Sequence, residues 1–110
     1  MTPVQEEGSG IQIAGVIVLT EDGSNETVTL LNASNRDIDL TGWAIANKAK
    51  QKYKIHGLIK PGQFMSISVA EPAFFRDKGD IITLLDRSGL KVAGVSYTKD
   101  QVKPGWTILF

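Results

Sequence analysis

The chain has 110 residues, no cysteine, and a formal charge of zero from 12 basic and 12 acidic side chains. That length suits one domain with its own hydrophobic core, and the missing thiols exclude a disulfide framework or a thiolate metal site. The balanced charge argues against a dedicated nucleic-acid binder, and no apolar run approaches the ~18 residues that span a bilayer.

The charge is unevenly placed. Residues 1–40 hold seven acids and one base, residues 41–60 hold five lysines and no acid, and the rest carries six bases and five acids. Residues 1–10 are polar and Gly/Ser-containing and read as a flexible lead-in, with one folded domain over 11–110. No basic-then-apolar leader opens the chain. A soluble domain without membrane insertion is expected; the compartment stays open, with the cytoplasm favoured.

From Ile11 onward, apolar and β-branched runs of five to ten residues alternate with clusters of Gly, Asn, Asp, Ser and Pro. The expected strands are Ile11–Thr20, Glu26–Asn32, Ile38–Asn47, Lys52–His56, Gln63–Ala70, Asp80–Asp86, Leu90–Thr98 and Trp106–Phe110. Helical spacing is confined to one short turn near Lys99–Val102, before Lys103-Pro104-Gly105. Asp86-Arg87-Ser88-Gly89 separates two strong runs, so Ile81–Tyr97 reads as a β-hairpin.

Parity along each run shows which face is buried. Val28 and Leu30 share one face against Thr27 and Thr29, and Met65, Ile67 and Val69 alternate with Ser66 and Ser68. Ile38 and Leu40 are even but Trp43 and Ile45 are odd, which predicts an extra residue, a glycine bulge at Thr41-Gly42. Trp43 and Trp106 both fall on core-facing parity and are expected to be structural, as is Gly42. About seven to nine half-buried antiparallel strands at this spacing make a two-layer all-β sandwich.

These residues also carry a resemblance. The segment from Glu26 through Leu30-Leu31-Asn32-Ala33-Ser34 and Ile38-Asp39-Leu40 to Gly42-Trp43-Ala44-Ile45 resembles the opening motif of the lamin tail domain family. Lys52–Ile55 with Leu58-Ile59-Lys60-Pro61-Gly62, then Asp80–Asp86 and Val92–Tyr97, are similar to its later sections, so the likeness runs over about 11–98. The last residues, Tyr97–Phe110, depart from nuclear lamins and resemble prokaryotic lamin-tail-like domains. The resemblance implies an immunoglobulin-like sandwich used as a non-catalytic structural or protein-interaction module, including as the C-terminal accessory domain of a larger protein. Fold likeness of this kind names no activity.

Residues with chemical capacity point the same way. The single histidine, His56, has no Gly-x-Ser-x-Gly nucleophile elbow to serve, and Asp37 and Asp39 flank Ile38 as a solvent-facing pair rather than a walled acid–base dyad. No catalytic residue, cofactor or specific metal is therefore expected. The acidic turn Glu21–Glu26 offers oxygen ligands without the register of a calcium loop. Asn25-Glu26-Thr27 and Asn32-Ala33-Ser34 match glycosylation acceptors, which matter only in a secretory context.

Two surfaces remain. Lys48, Lys50, Lys52 and Lys54 alternate around Tyr53, and a turn at Asn47–Gln51 would leave Lys52 and Lys54 on a strand. The alternatives are a phosphate-tracking patch with one aromatic for stacking, or an edge strand guarded by lysines. Phe74 and Phe75 follow Glu71-Pro72. Phe75 is expected to cap the core, while an exposed Phe74 beside Arg76 would form an interface anchor. The expected partner is a protein or another domain of a longer chain, bound at a sheet edge or at the Phe74 loop. Weak nucleic-acid contact through Lys48–Lys54 is the alternative. Oligomeric state is not readable.

Overall fold

A computed structural model describes residues 10–18 and 25–110. Ten strands run β1 (Ile11–Ile17), β2 (Glu26–Asn32), β3 (Ile38–Asp39), β4 (Ala44–Ala46), β5 (Lys52–Lys54), β6 (Leu58–Ile59), β7 (Phe64–Val69), β8 (Gly79–Leu85), β9 (Lys91–Thr98) and β10 (Ile108–Leu109). A three-residue 3-10 turn at Lys99–Gln101 follows β9, where a short helical turn is expected. The lead-in 1–10 lies outside the described residues except for Gly10, as does most of the Glu21–Glu26 turn.

The strands form one sheet in the order β10-β1-β2-β7, a second in the order β5-β4-β8-β9, and a two-stranded pair of β3 with β6. Every pairing is antiparallel. The inner rows of both four-stranded sheets meet in one core. Val16, Val28, Leu30 and Val69 from the first sheet join Ile45, Ile82 and Leu84 from the second, with Trp43, Leu40 and Phe75 between them. Full burial of such side chains contributes about 1.5–3 kcal/mol each.

The parity change between Leu40 and Trp43 has a different cause from the expected bulge. Thr41-Gly42 is a turn, closed by the Trp43 N–H donating to the Leu40 carbonyl at 2.9 Å, with Gly42 at φ +86°. This turn ends β3 and hands the chain to β4 in another sheet. A glycine is favoured there because side-chain-bearing residues are strained at that φ. Asp39 supports the turn, accepting from the Thr41 N–H (3.0 Å) and hydroxyl (2.7 Å). Those bonds hold its carboxyl below the usual aspartate range.

Trp43 is fully buried, as expected, although its indole N–H finds no acceptor among the described residues. Trp106 does not join the core and is 64 % exposed. The last strand starts at Ile108, later than the alternation predicts. A Lys103–Trp106 turn, with the Trp106 N–H on the Lys103 carbonyl, leaves the indole ahead of that strand. Phe110, on the same parity, is 43 % exposed. The tail still reaches β1, pairing Val16 with Ile108 and Gly15 with Leu109. Gly15 permits this approach, since a Cβ there would lie 2.8 Å from the Thr107 methyl.

The β8–β9 hairpin forms where expected, and Asp86 closes it by accepting the N–H groups of Ser88 and Leu90. Among the described residues no helix is long and apolar enough to cross a membrane.

Candidate interaction site

β2 begins and ends on a polar side chain of its core-facing row. Its alternation buries Glu26, Val28, Leu30 and Asn32 in turn. A polar group in that position must find partners, because leaving it unpaired costs about 1–3 kcal/mol.

Asn32 finds four. Its amide donates to the carbonyls of Arg36 (2.8 Å) and Ile59 (2.9 Å), and its Oδ1 accepts from the Ser34 N–H (2.9 Å) and hydroxyl (2.6 Å). Leu30-Leu31-Asn32-Ala33-Ser34 is therefore a folding motif that anchors the β2–β3 turn to β6. With its nitrogen committed and fully buried, Asn32 is closed to glycosylation in the folded domain.

The other end of β2 belongs to a second polar cluster, which clamps the segment between β7 and β8. Glu26 accepts the Phe75 N–H (3.1 Å), and the Asn47 amide donates to the Phe74 carbonyl (2.8 Å). Asp80 accepts the Arg76 N–H (3.0 Å) and the Lys48 N–H (2.8 Å), and the Tyr97 hydroxyl donates to the Arg76 carbonyl (2.7 Å). Burial raises the Glu26 carboxyl above its ordinary value; the N–H groups of Phe75 and Phe74 oppose this, and Asp77 and Asp80 add to it. Burial also pushes the Tyr97 phenol up, helped by Asp80, Glu26 and Asp77.

The clamp decides the fate of the predicted anchor. With the main chain of 74–76 held on four side chains, both phenyl rings turn inward, Phe74 at 4 % and Phe75 at 1 % exposure. They meet edge to face at 5.0 Å, and Tyr53 meets Phe74 at 6.3 Å. Phe75 is buried in the core as expected, and Phe74 is buried with it rather than exposed beside Arg76. Of the three, only Arg76 is exposed. Glu26, Asn47, Asp80 and Tyr97 escaped the sequence reading; the sign available there was an acid on the same parity as Val28 and Leu30.

The lysines are divided. Lys48 and Lys50 sit in the Asn47–Gln51 turn, with Lys50 at φ +67°, and Lys52 and Lys54 are exposed on β5. Strand alternation places Tyr53 on the opposite, inner face, half-buried against Phe74. Of the two alternatives, the phosphate-tracking patch has its lysines exposed and its one aromatic on the other face of the strand. β5 is the edge of its sheet, with Lys52 beside Ala46 and Lys54 beside Ala44.

Across from β5 lies β7, an edge strand of the first sheet. Its six residues, Phe-Met-Ser-Ile-Ser-Val, carry no charge and no proline, and among the described residues they pair on one side only, with β2. Between the two edges runs an open groove of about 270 Å³, lined by Tyr53–His56 and Met65–Ser68. Met65 and Ile67 face inward yet stay half-buried, because the described chain does not cover them here. The lining holds Lys54 and His56 and no acidic residue.

His56 is exposed at the end of this wall, and Asp37 and Asp39 are exposed on either side of buried Ile38. Among the described residues, no group of three or more His, Cys, Asp or Glu side chains is placed to hold a metal ion.

A search of the curated proteins returned no match. The family model described as Lamin Tail Domain matches residues 5–99, from before β1 to the end of β9, and leaves out the tail that supplies β10. The match includes the Asn32 anchor, the Gly42-Trp43 sheet crossing and the closing hairpin. With most of its length covered, the chain belongs to the Lamin Tail Domain family, a family of immunoglobulin-like, non-enzymatic domains.

Proposed function

We propose that this domain is a non-catalytic interaction module that takes a protein partner along its open side, as an accessory unit of a longer protein or assembly. The carrying observation is β7, a six-residue uncharged sheet edge whose outer main-chain groups have no partner among the described residues. Such an edge is a template for strand addition, in which main-chain hydrogen bonds supply affinity and alternate side chains supply specificity. The half-buried Met65 and Ile67 beside it offer apolar surface that a partner would cover. Family membership supports a structural or interaction role in general terms.

Nucleic-acid contact through Lys48–Lys54 is the second reading. It retains Coulomb attraction from exposed lysines but lacks the stacking ring, since Tyr53 faces inward. Such binding would fall steeply with salt.

A benzophenone side chain in place of Ser66, with a second in place of Ser88 on the hairpin turn as control, separates these readings in lysate of the source cells. A discrete protein adduct at the Ser66 position, absent at the control and resistant to nuclease and high salt, is expected. Equal labelling at both positions would overturn the edge reading. Nuclease-sensitive material lost in a Lys52→Glu/Lys54→Glu variant would put nucleic acid in its place.

A further inference from the structure

The two walls of the groove differ in character, and together they specify a ligand. On one side β7 contributes a main-chain edge unpaired among the described residues, with Met65 and Ile67 on its half-buried face and Ser66 and Ser68 on its exposed face. On the other, residues 53–56 contribute Lys54 and His56 at the rim and Tyr53 and Ile55 behind them. Lys52 lies two residues further along the same exposed edge, and the whole stretch 41–60 contains five lysines and no acid. An occupant of this space therefore meets hydrogen-bonding main chain, apolar side chains and the positive charge of Lys54, with no acidic residue in the described lining.

We propose that the groove between β5 and β7 takes an extended acidic peptide, added as a strand to β7. Its inward side chains would be apolar over Met65 and Ile67 and carboxylate where they approach Lys54. This rests on the interaction-module reading and names its ligand. At about 3.3 Å per residue, β7 gives room for roughly six residues of peptide. Alternation sends every second peptide side chain into the groove, and those between them lie beside the small, polar Ser66 and Ser68. A second copy of this chain fits less well. Pairing β7 to β7 would bring two β5 edges, each with Lys52 and Lys54, towards one another, and like charges in apposition oppose association. An acidic strand converts the same charge into attraction.

A random octapeptide display library selected on the immobilised domain tests this directly. The expected winners carry acidic residues within an alternating apolar pattern and shift the amide resonances of 64–69. Lys54→Glu should weaken them on the order of three- to tenfold, an effect that shrinks in high salt. N-methylation of the peptide amides that face β7 should weaken binding by about tenfold or more, each lost hydrogen bond costing about 1 kcal/mol. N-methylation of the intervening amides should be tolerated.

Selection of basic peptides, or of none, overturns the proposal, as does binding indifferent to Lys54→Glu or to N-methylation. If the Ser66 cross-link still captures a protein after such a failure, the ligand class is wrong and the module reading stands. If the cross-link fails as well, both fall. A dimer seen by sedimentation and dissolved by Ser66→Lys would assign the edge to a second copy and also overturn the proposal.

Discussion

The β7–β8 segment and the β5–β7 groove lie on the same small sandwich and treat their main-chain groups in opposite ways. At the first, Glu26, Asn47, Asp80 and Tyr97 reach the carbonyls and N–H groups of 74–76, and two phenyl rings follow that main chain into the core. At the second, β7 presents an outer row of main-chain groups that nothing described satisfies, beside half-buried apolar side chains. Polar groups satisfied inside the fold raise stability and restrict conformation. Polar groups left pairing-competent at an edge preserve a capacity to bind. The β5 edge, which shares the groove, shows that this domain also has a guarded edge. Lys52 and Lys54 make β5 a poor template for indiscriminate pairing, whereas β7 has no such guard.

This contrast predicts that changes at the clamp act on stability and changes at the groove act on binding. Phe74→Ala is the most severe, at about 3–5 kcal/mol in urea unfolding, because it empties a buried site. A cost below about 1 kcal/mol with loss of partner binding would instead restore Phe74 as an interface anchor. Asp80→Ala comes next at about 2–3 kcal/mol, since the part-buried Lys48, Arg76 and Ile81 N–H groups lose their acceptor. A neutral result by the same measurement would show that water replaces the carboxylate and that the clamp is not the source of rigidity.

Glu26 supplies a pH-dependent test. Its folded-state value is raised above 4.5, so the folded chain holds this proton more tightly than the unfolded chain. Its contribution is fully present below about pH 4.5 and is lost as pH rises through the raised folded value. Glu26→Gln should therefore gain stability relative to the parent as pH rises through that window. Paired urea titrations from pH 4 to 7 would check the sign; a constant difference removes the argument from burial.

The smallest stability effect is expected at the groove. Ser66→Glu should change stability by no more than about 0.5 kcal/mol, because the side chain is exposed, while its negative charge on β7 opposes an acidic strand. Loss of partner binding without a change in melting temperature is the expected result. Loss of both together would mean that β7 and the core are not separable.

Much of the fold is legible along the chain. The alternation of Val28 with Thr27 and Thr29, the Asp86–Gly89 turn and the core parity of Trp43 each reappear in three dimensions. These are local signals: period-two spacing, turn chemistry, a bulky apolar residue on the inward face. Parity failed where the strand itself was misplaced. Trp106 has the spacing of Ile108 and Phe110, but β10 pairs with β1 only at Ile108 and Leu109, and the turn before it keeps the indole outside. The exposure expected of Phe74 is absent for another reason: the main chain of Phe74 and Phe75 is hydrogen-bonded to Asn47 and Glu26, at separations of 27 and 49 positions. In the candidate site, the lysines of β5 and the uncharged run of β7 were visible as separate strings, but not their meeting across one groove.

By itself, then, the sequence determined an all-β sandwich, its hairpin, its lysine-bearing strand and its family. Side-chain period and turn residues act over a few positions, and the order of motifs spans most of the chain. Only the tertiary structure decided which edges stay open, which aromatic rings face inward, and that Lys54 and Ile67 line one groove. Those outcomes depend on which strands end each sheet and on hydrogen bonds between distant residues, and no local pattern carries that information.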